Sequence, residues 1–319
     1  MATKASDVVD YVISRAIGLR YRMRPRPVAR TLARFELARA AAAAGDTDRA
    51  ERLFAEADGA GRGSDLTSRA QARAEVVKAL ADAGDTDRAE AVARTIGDPR
   101  FRVHALAGVV RAVGDAGDPD RARRVADEAE TIARTITHPY GQREVLTTLA
   151  WSVAAAGDAD QGEAIARSLA DQEAQWEALA GVAAAVARAG NADRAEAVAQ
   201  SIADPDKRWF ALARVATNVT AAGDPERGER IVQAVSSPYP RAWALADVSR
   251  AAAGAGDPDR ARRLAGEAES IAATISDPAQ RALVLRNLAK AVAAAGDPDG
   301  ARRIAKAAKA QVRKRRRPT

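Results

Sequence analysis

The chain has 319 residues, 47% of them hydrophobic but only 4% aromatic, with a formal net charge of +7, two histidines and no cysteine. Such a core must be built from Ala, Val, Leu and Ile, which implies closely packed helices. The lack of thiols excludes disulfides and thiolate sites, and His104 and His138 alone are too few for a histidine metal cluster. The N-terminus has no apolar stretch followed by a cleavage site, and no run approaches the roughly 18 apolar residues of a membrane span, so a cytoplasmic protein is expected.

The positive charge sits at the ends. Residues 1–44 hold nine Lys or Arg against Asp7, Asp10 and Glu36, and residues 302–319 hold nine with no acid, which leaves the long middle of the chain net acidic. Ser6 or Asp7 can cap a short helix with Val8, Val9, Val12, Ile13, Ala16 and Ile17 on one side, stopping near Gly18 to Arg22. Arg24-Pro25-Arg26-Pro27 then resists helix, because each Pro restricts the residue before it. Residues 1–27 therefore read as an N-terminal helix and a basic, Pro-containing linker. The helix either caps the array or serves as an arm for a partner or an anionic surface.

From Val28 to residue 312 the chain repeats itself. A Gly followed by Asp or Asn recurs at Gly45, Gly84, Gly117, Gly157, Gly190, Gly223, Gly256 and Gly296, spaced by 39, 33, 40, 33, 33, 33 and 40 residues. Self-similarity at such periods marks a solenoid, so one elongated domain is expected. Each unit reads as two helices, A and B, with the Gly turn between them. Gly supplies the left-handed end of helix A, the next residue caps helix B, and Pro119, Pro225, Pro258 and Pro298 occupy its first turn at no hydrogen-bonding cost. Asp98-Pro99, His138-Pro139, Asp204-Pro205, Ser237-Pro238 and Asp277-Pro278 start the following A helices. Where the spacing is 40, the apolar set Val125, Ala126, Ala129 returns seven residues later as Ile132, Ala133, Ile136, and Leu264, Ala265, Ala268 as Ile271, Ala272, Ile275. Seven residues drift by only about 20°, so these B helices are expected to be longer by roughly 10 Å with the same buried face.

The Gly-Asp-x-x-x-Ala step, as at Gly45 to Ala50 or Gly84 to Ala89, resembles the turn of tetratricopeptide repeats, in which a small residue follows at the A–B crossing. A period of 33 and a Pro near each unit's end are similar to that family too. The Trp, Leu, Gly, Tyr pattern of its A helix is absent, since residues 73–80 read Arg-Ala-Glu-Val-Val-Lys-Ala-Leu. The resemblance implies an all-α solenoid of antiparallel helix pairs in a right-handed superhelix, with units of 33 or 40 residues. It also implies a non-enzymatic platform that holds a peptide or helix in its groove, as a scaffold or sensor module.

The residues offer no catalytic alternative. Ser and Thr have no paired His, no Gly-rich phosphate loop is followed by Lys, and the Asp pairs lack the loop length and extra oxygens of a calcium site. No cofactor, metal or catalytic residue is expected. His138 holds the capping slot that Asp98 and Asp204 hold elsewhere. The rare aromatics cluster near the starts of A helices: Phe101, Tyr140, Trp176, Trp209, Tyr239 and Trp243, with Lys207, Arg208 and Arg241 beside them. They form either a ridge of partner-binding anchors or the filling between neighbouring units. The last helix has Ile304, Ala305, Ala308 and Val312 on one face and ends in the block Arg313, Lys314, Arg315, Arg316, Arg317. Residues 313–319 thus form a basic tail suited to nucleic acid or another acidic partner. A protein or peptide partner is the first expectation and a nucleic-acid-associated protein using its basic ends the alternative, with self-association of the array left open.

Overall fold

A computed structural model describes residues 34, 37, 38, 40, 41, 44–60 and 66–315. The N-terminal helix and linker expected over residues 1–27 lie outside the described residues, as do Arg316 and Arg317 of the basic tail. Apart from helical residues before position 42, the described residues form fifteen helices and no strand. The A helices are α2 (Leu66–Asp82), α4 (Pro99–Asp115), α6 (Pro139–Ala155), α8 (Gln172–Arg188), α10 (Pro205–Ala221), α12 (Pro238–Gly254) and α14 (Pro278–Ala294). The B helices are α1 (Thr47–Ala60), α3 (Thr86–Arg94), α5 (Pro119–Arg134), α7 (Ala159–Arg167), α9 (Ala192–Gln200), α11 (Pro225–Gln233), α13 (Pro258–Thr274) and α15 (Pro298–Arg315). The protein is an all-α solenoid of helix pairs, divided into two compact units, Met1–Asp158 and Ala159–Thr319.

The turn between A and B is built the same way each time. All eight turn glycines have positive φ, between 79° and 103°. In the α2–α3 turn, the Gly84 amide donates to Ala81 O at 3.0 Å and the Asp85 amide to Leu80 O at 2.9 Å, which closes the end of α2 as a Schellman motif. The Asp85 carboxylate then accepts from the Arg88 amide at 3.3 Å and opens α3. One residue therefore ends a helix with its backbone and begins the next with its side chain. Asp118, Asn191, Asp224 and Asp257 do the same for the following pairs. At the other end of each unit, Asp98, Asp204 and Asp277 cap α4, α10 and α14. His138 caps α6 by accepting the Gly141 amide on Nδ1 at 3.3 Å, whereas Ser237 makes no side-chain bond at the start of α12.

Lengths follow the sequence pattern. Helices α3, α7, α9 and α11 have nine residues, while α5 has 16 and α13 has 17, the two places where the apolar set is doubled. Within each unit, successive A helices pack on one another, and α3, α5, α9, α11 and α13 each contact both their own A helix and the next. The interior is mostly Ala and Val with a few Leu from the A helices: Leu106, Leu146, Leu149, Leu179, Leu245, Leu285 and Leu288 are all buried. Small side chains let the backbones approach closely. At Gly228 in α11 an added Cβ would lie 2.0 Å from Thr220 Oγ1 and 2.9 Å from Ala216 O of α10. Because the second neighbour is backbone, Gly228→Ala should force the two helices apart and cost about 1–3 kcal/mol, read as a lower urea midpoint at unchanged slope.

The B helices are tied to one another by long ion pairs. Arg227, third in α11, reaches Asp193 at 2.6 Å and Glu196 at 2.5 Å in α9. Arg194 binds Asp160 and Glu163 of α7 in the same way, Arg260 binds Glu226 and Glu229 of α11, and in the first unit Arg121 binds Asp87 and Glu90 of α3. Most of these groups are partly exposed, so solvent screens each pair, and their joint effect is to fix the register of neighbouring helices.

Candidate protein-binding surface

Residues 2, 5, 6, 9, 10 and 13 of an A helix share one side at about 100° per residue. The aromatic residues fall there. Counting from the start of each helix, Tyr239 is second in α12, Trp176 and Trp209 are fifth in α8 and α10, and Trp243 is sixth in α12. In the second unit these rings form a continuous chain through Phe210, the sixth residue of α10. Trp176 meets Phe210 at 5.8 Å, Phe210 meets Trp209 at 5.9 Å, Trp209 meets Tyr239 at 6.2 Å, and Tyr239 meets Trp243 at 6.3 Å between centroids. The first three contacts are edge-to-face, the arrangement favoured by the ring quadrupoles. Four rings are half-buried, and burial raises the pKa of the Tyr239 phenol, whereas Phe210 leaves 38% of its surface exposed. The row therefore both fills the junctions between neighbouring A helices and presents an apolar edge to solvent.

Phe210 was not among the residues expected from the sequence. Its signal was present: it holds the same helix position as Trp243 and directly follows Trp209.

The three cations beside the rings have different duties. Lys207 Nζ lies 4.5 Å from the centre of the Trp176 ring and 2.8 Å from Glu173 Oε1, and this hydrogen bond raises the pKa of Lys207 and lowers that of Glu173. Arg208 donates from Nε to Ile202 O at 2.8 Å and from a terminal nitrogen to Ala203 O at 2.9 Å. It thus closes the carbonyl end after α9, and Arg102, Gln142, Gln175 and Arg281 do the same at the fourth position of their A helices. Arg241, also fourth, pairs instead with Glu267 of α13 at 2.9 Å. Only Lys207 of the three stacks on the ring row.

Phe101 and Tyr140 lie in the first unit. Phe101 is half-buried, while Tyr140 is 58% exposed with the Arg143 guanidinium 5.1 Å from its ring centre. Of the basic tail, Arg313, Lys314 and Arg315 complete α15. Among the described residues no group of three His, Cys, Asp or Glu could hold a metal ion, and no helix is long and apolar enough to cross a membrane.

In the first unit His104 of α4 stands 3.7 Å from Glu144 of α6, which Arg100 also binds at 2.7 Å. Burial lowers the His104 pKa, against the pull of Glu144 and with a smaller push from Arg100. A histidine held neutral by the fold contributes stability above its unfolded pKa, and that contribution falls away as acidification protonates the unfolded chain first. Between about pH 7.5 and about pH 5.5, crossing the ordinary imidazole pKa, the wild type should therefore lose more stability than His104→Gln, as judged by denaturant midpoints.

The fold and the ring row define a helical-repeat protein. The tetratricopeptide repeat model matches residues 31–56 and 282–307, each spanning one Gly-Asp turn, so the chain carries tetratricopeptide-like repeats. Such repeats generally mediate protein–protein interaction and are typically non-enzymatic. Similar solved structures include Ton1535 from Thermococcus onnurineus NA1 (16% identity over 93% of this chain and 94% of that one, TM-score 0.30) and BtubC (BKLC) from P. vanneervenii (17%, 76% and 94%, TM-score 0.29). A circular tandem repeat protein with novel repeat topology is also similar (16%, 96% and 76%, TM-score 0.27). No curated protein matches the sequence.

Proposed function

We propose that the protein is a non-enzymatic, cytoplasmic interaction scaffold or sensor module that holds a peptide or helix of another protein on the face lined by its A helices. The observation that carries this reading is the unbroken chain of five rings across α8, α10 and α12, with Phe210, its second ring, open to solvent. Rigid aromatic surface that is partly desolvated before binding is what interface anchors are made of. Protein segments are favoured over nucleic acid because the array between the basic ends is net acidic. Peptide-display selection on the purified chain, followed by anisotropy with the selected peptide and with random-sequence DNA and RNA, tests the reading. The peptide should bind with or without residues 313–319, and nucleic acid only weakly and through that tail. Tight, tail-independent binding of DNA or RNA, or failure to select any peptide, would overturn it.

A further inference from the structure

We infer that the A-helix face of the second unit contains an anion subsite, made by Arg214 of α10 and Arg188 of α8, for an acidic side chain lying one helical turn from an apolar residue of the partner that rests on Phe210. The inference rests on the reading of this face as a peptide-binding surface and specifies what the peptide carries.

Arginines in this unit are mostly matched. Arg194, Arg227, Arg260, Arg263 and Arg303 each have a carboxylate within 2.7 Å. Arg214 is the tenth residue of α10, partly buried, and its guanidinium makes no ion pair or hydrogen bond among the described residues. Nor does that of Arg188, the last residue of the neighbouring helix α8. Burial lowers the Arg214 pKa, Arg188 lowers it further, and the attraction of Glu177 offsets this only in part. A half-buried cation beside a like charge is a cost to the folded chain, and an incoming carboxylate relieves it. The planar guanidinium fork matches that group well.

Position supplies the rest. Phe210 and Arg214 are four residues apart on one helix and therefore neighbours on one face, so an apolar anchor and an acid in the partner must be spaced to match. A continuous polyphosphate along the same face would meet Glu173, Glu177, Asp206 and Asp247, whereas a single carboxylate needs only the two arginines.

The test uses a labelled, end-blocked peptide in which Leu and Glu recur one helical turn apart, its counterpart with every Glu replaced by Gln, and single-stranded DNA of random sequence. With the full chain at low salt, the Glu peptide should bind about tenfold tighter than the Gln peptide, a difference typical of a charge-assisted contact. Arg214→Gln or Arg188→Gln should remove most of that difference, while Arg230→Gln on the exposed side of α11 should leave it intact. Phe210→Ser should weaken both peptides alike. Arg214→Gln should melt no lower than wild type, because no partner is lost. Equal binding of the two peptides, or an unchanged ratio in both arginine variants, overturns the subsite. DNA binding tighter than the Glu peptide with the same arginine dependence would assign it to nucleic acid instead. Loss on Arg variants without loss on Phe210→Ser would sink the ring-row reading and leave the subsite standing.

Discussion

Leu245→Ala should destabilise the second unit by about 4 kcal/mol, near the upper end of the range for deleting a buried leucine. The residue is 1% exposed in the middle of α12, and the side chains around it on the same helix are Ala242, Ala244, Ala246 and Val248, all buried. Cavity cost depends on how far the surroundings can collapse. Alanine has no rotamer to swing into a hole, and the helices are already held at close approach, as Gly228 against Thr220 shows. The void should therefore persist. Because a repeat stack loses cooperativity over distance, the effect is best read by native-state hydrogen exchange, with protection falling most in α12 and its neighbours α10, α13 and α14. A loss below about 1 kcal/mol would mean that the alanine-rich core relaxes freely, contrary to its packing.

Phe210→Ser is expected to weaken a selected peptide by more than tenfold, on the order of 2 kcal/mol, with little change in the melting temperature. The ring is the most exposed of the five and touches both Trp176 and Trp209, so its removal takes away the open part of the row without emptying the core. Trp243→Ser is the informative contrast. Trp243 is half-buried against Tyr239, and its loss should lower stability and affinity together. If Phe210→Ser binds like wild type while the Trp243 variant fails on both counts, the rings serve only to fill junctions.

What could be read from the sequence was what short range decides. A Gly with positive φ, an Asp that caps, a Pro in the first turn and a doubled apolar set are each settled within a few residues, and they placed the turns and the long helices α5 and α13 correctly. The surface chemistry was less legible because it depends on partners one unit away. The ion pairs of Arg227 join residues 34 and 31 apart, a separation that can be seen only once the units are stacked. Likewise Arg208 looked like a companion of Trp209, but its place one turn into α10 puts the guanidinium against the carbonyls that follow α9. Phe210 has the same sixth helix position as Trp243, but its exposure against that residue's partial burial depends on the neighbouring helices and not on local spacing.

The double duty of the residue after each turn glycine makes the turn a seam at which the chain can be cut and rejoined. Removing residues 191–223 would join Gly190 to Asp224, and the new junction would again be a glycine followed by a capping carboxylate. Arg227 would then face Asp160 and Glu163 of α7, which Arg194 now binds. The array can thus be shortened or lengthened by whole helix pairs without designing a new connection, and the number of A helices facing a partner becomes a property that duplication or deletion of a block of coding sequence can adjust on its own.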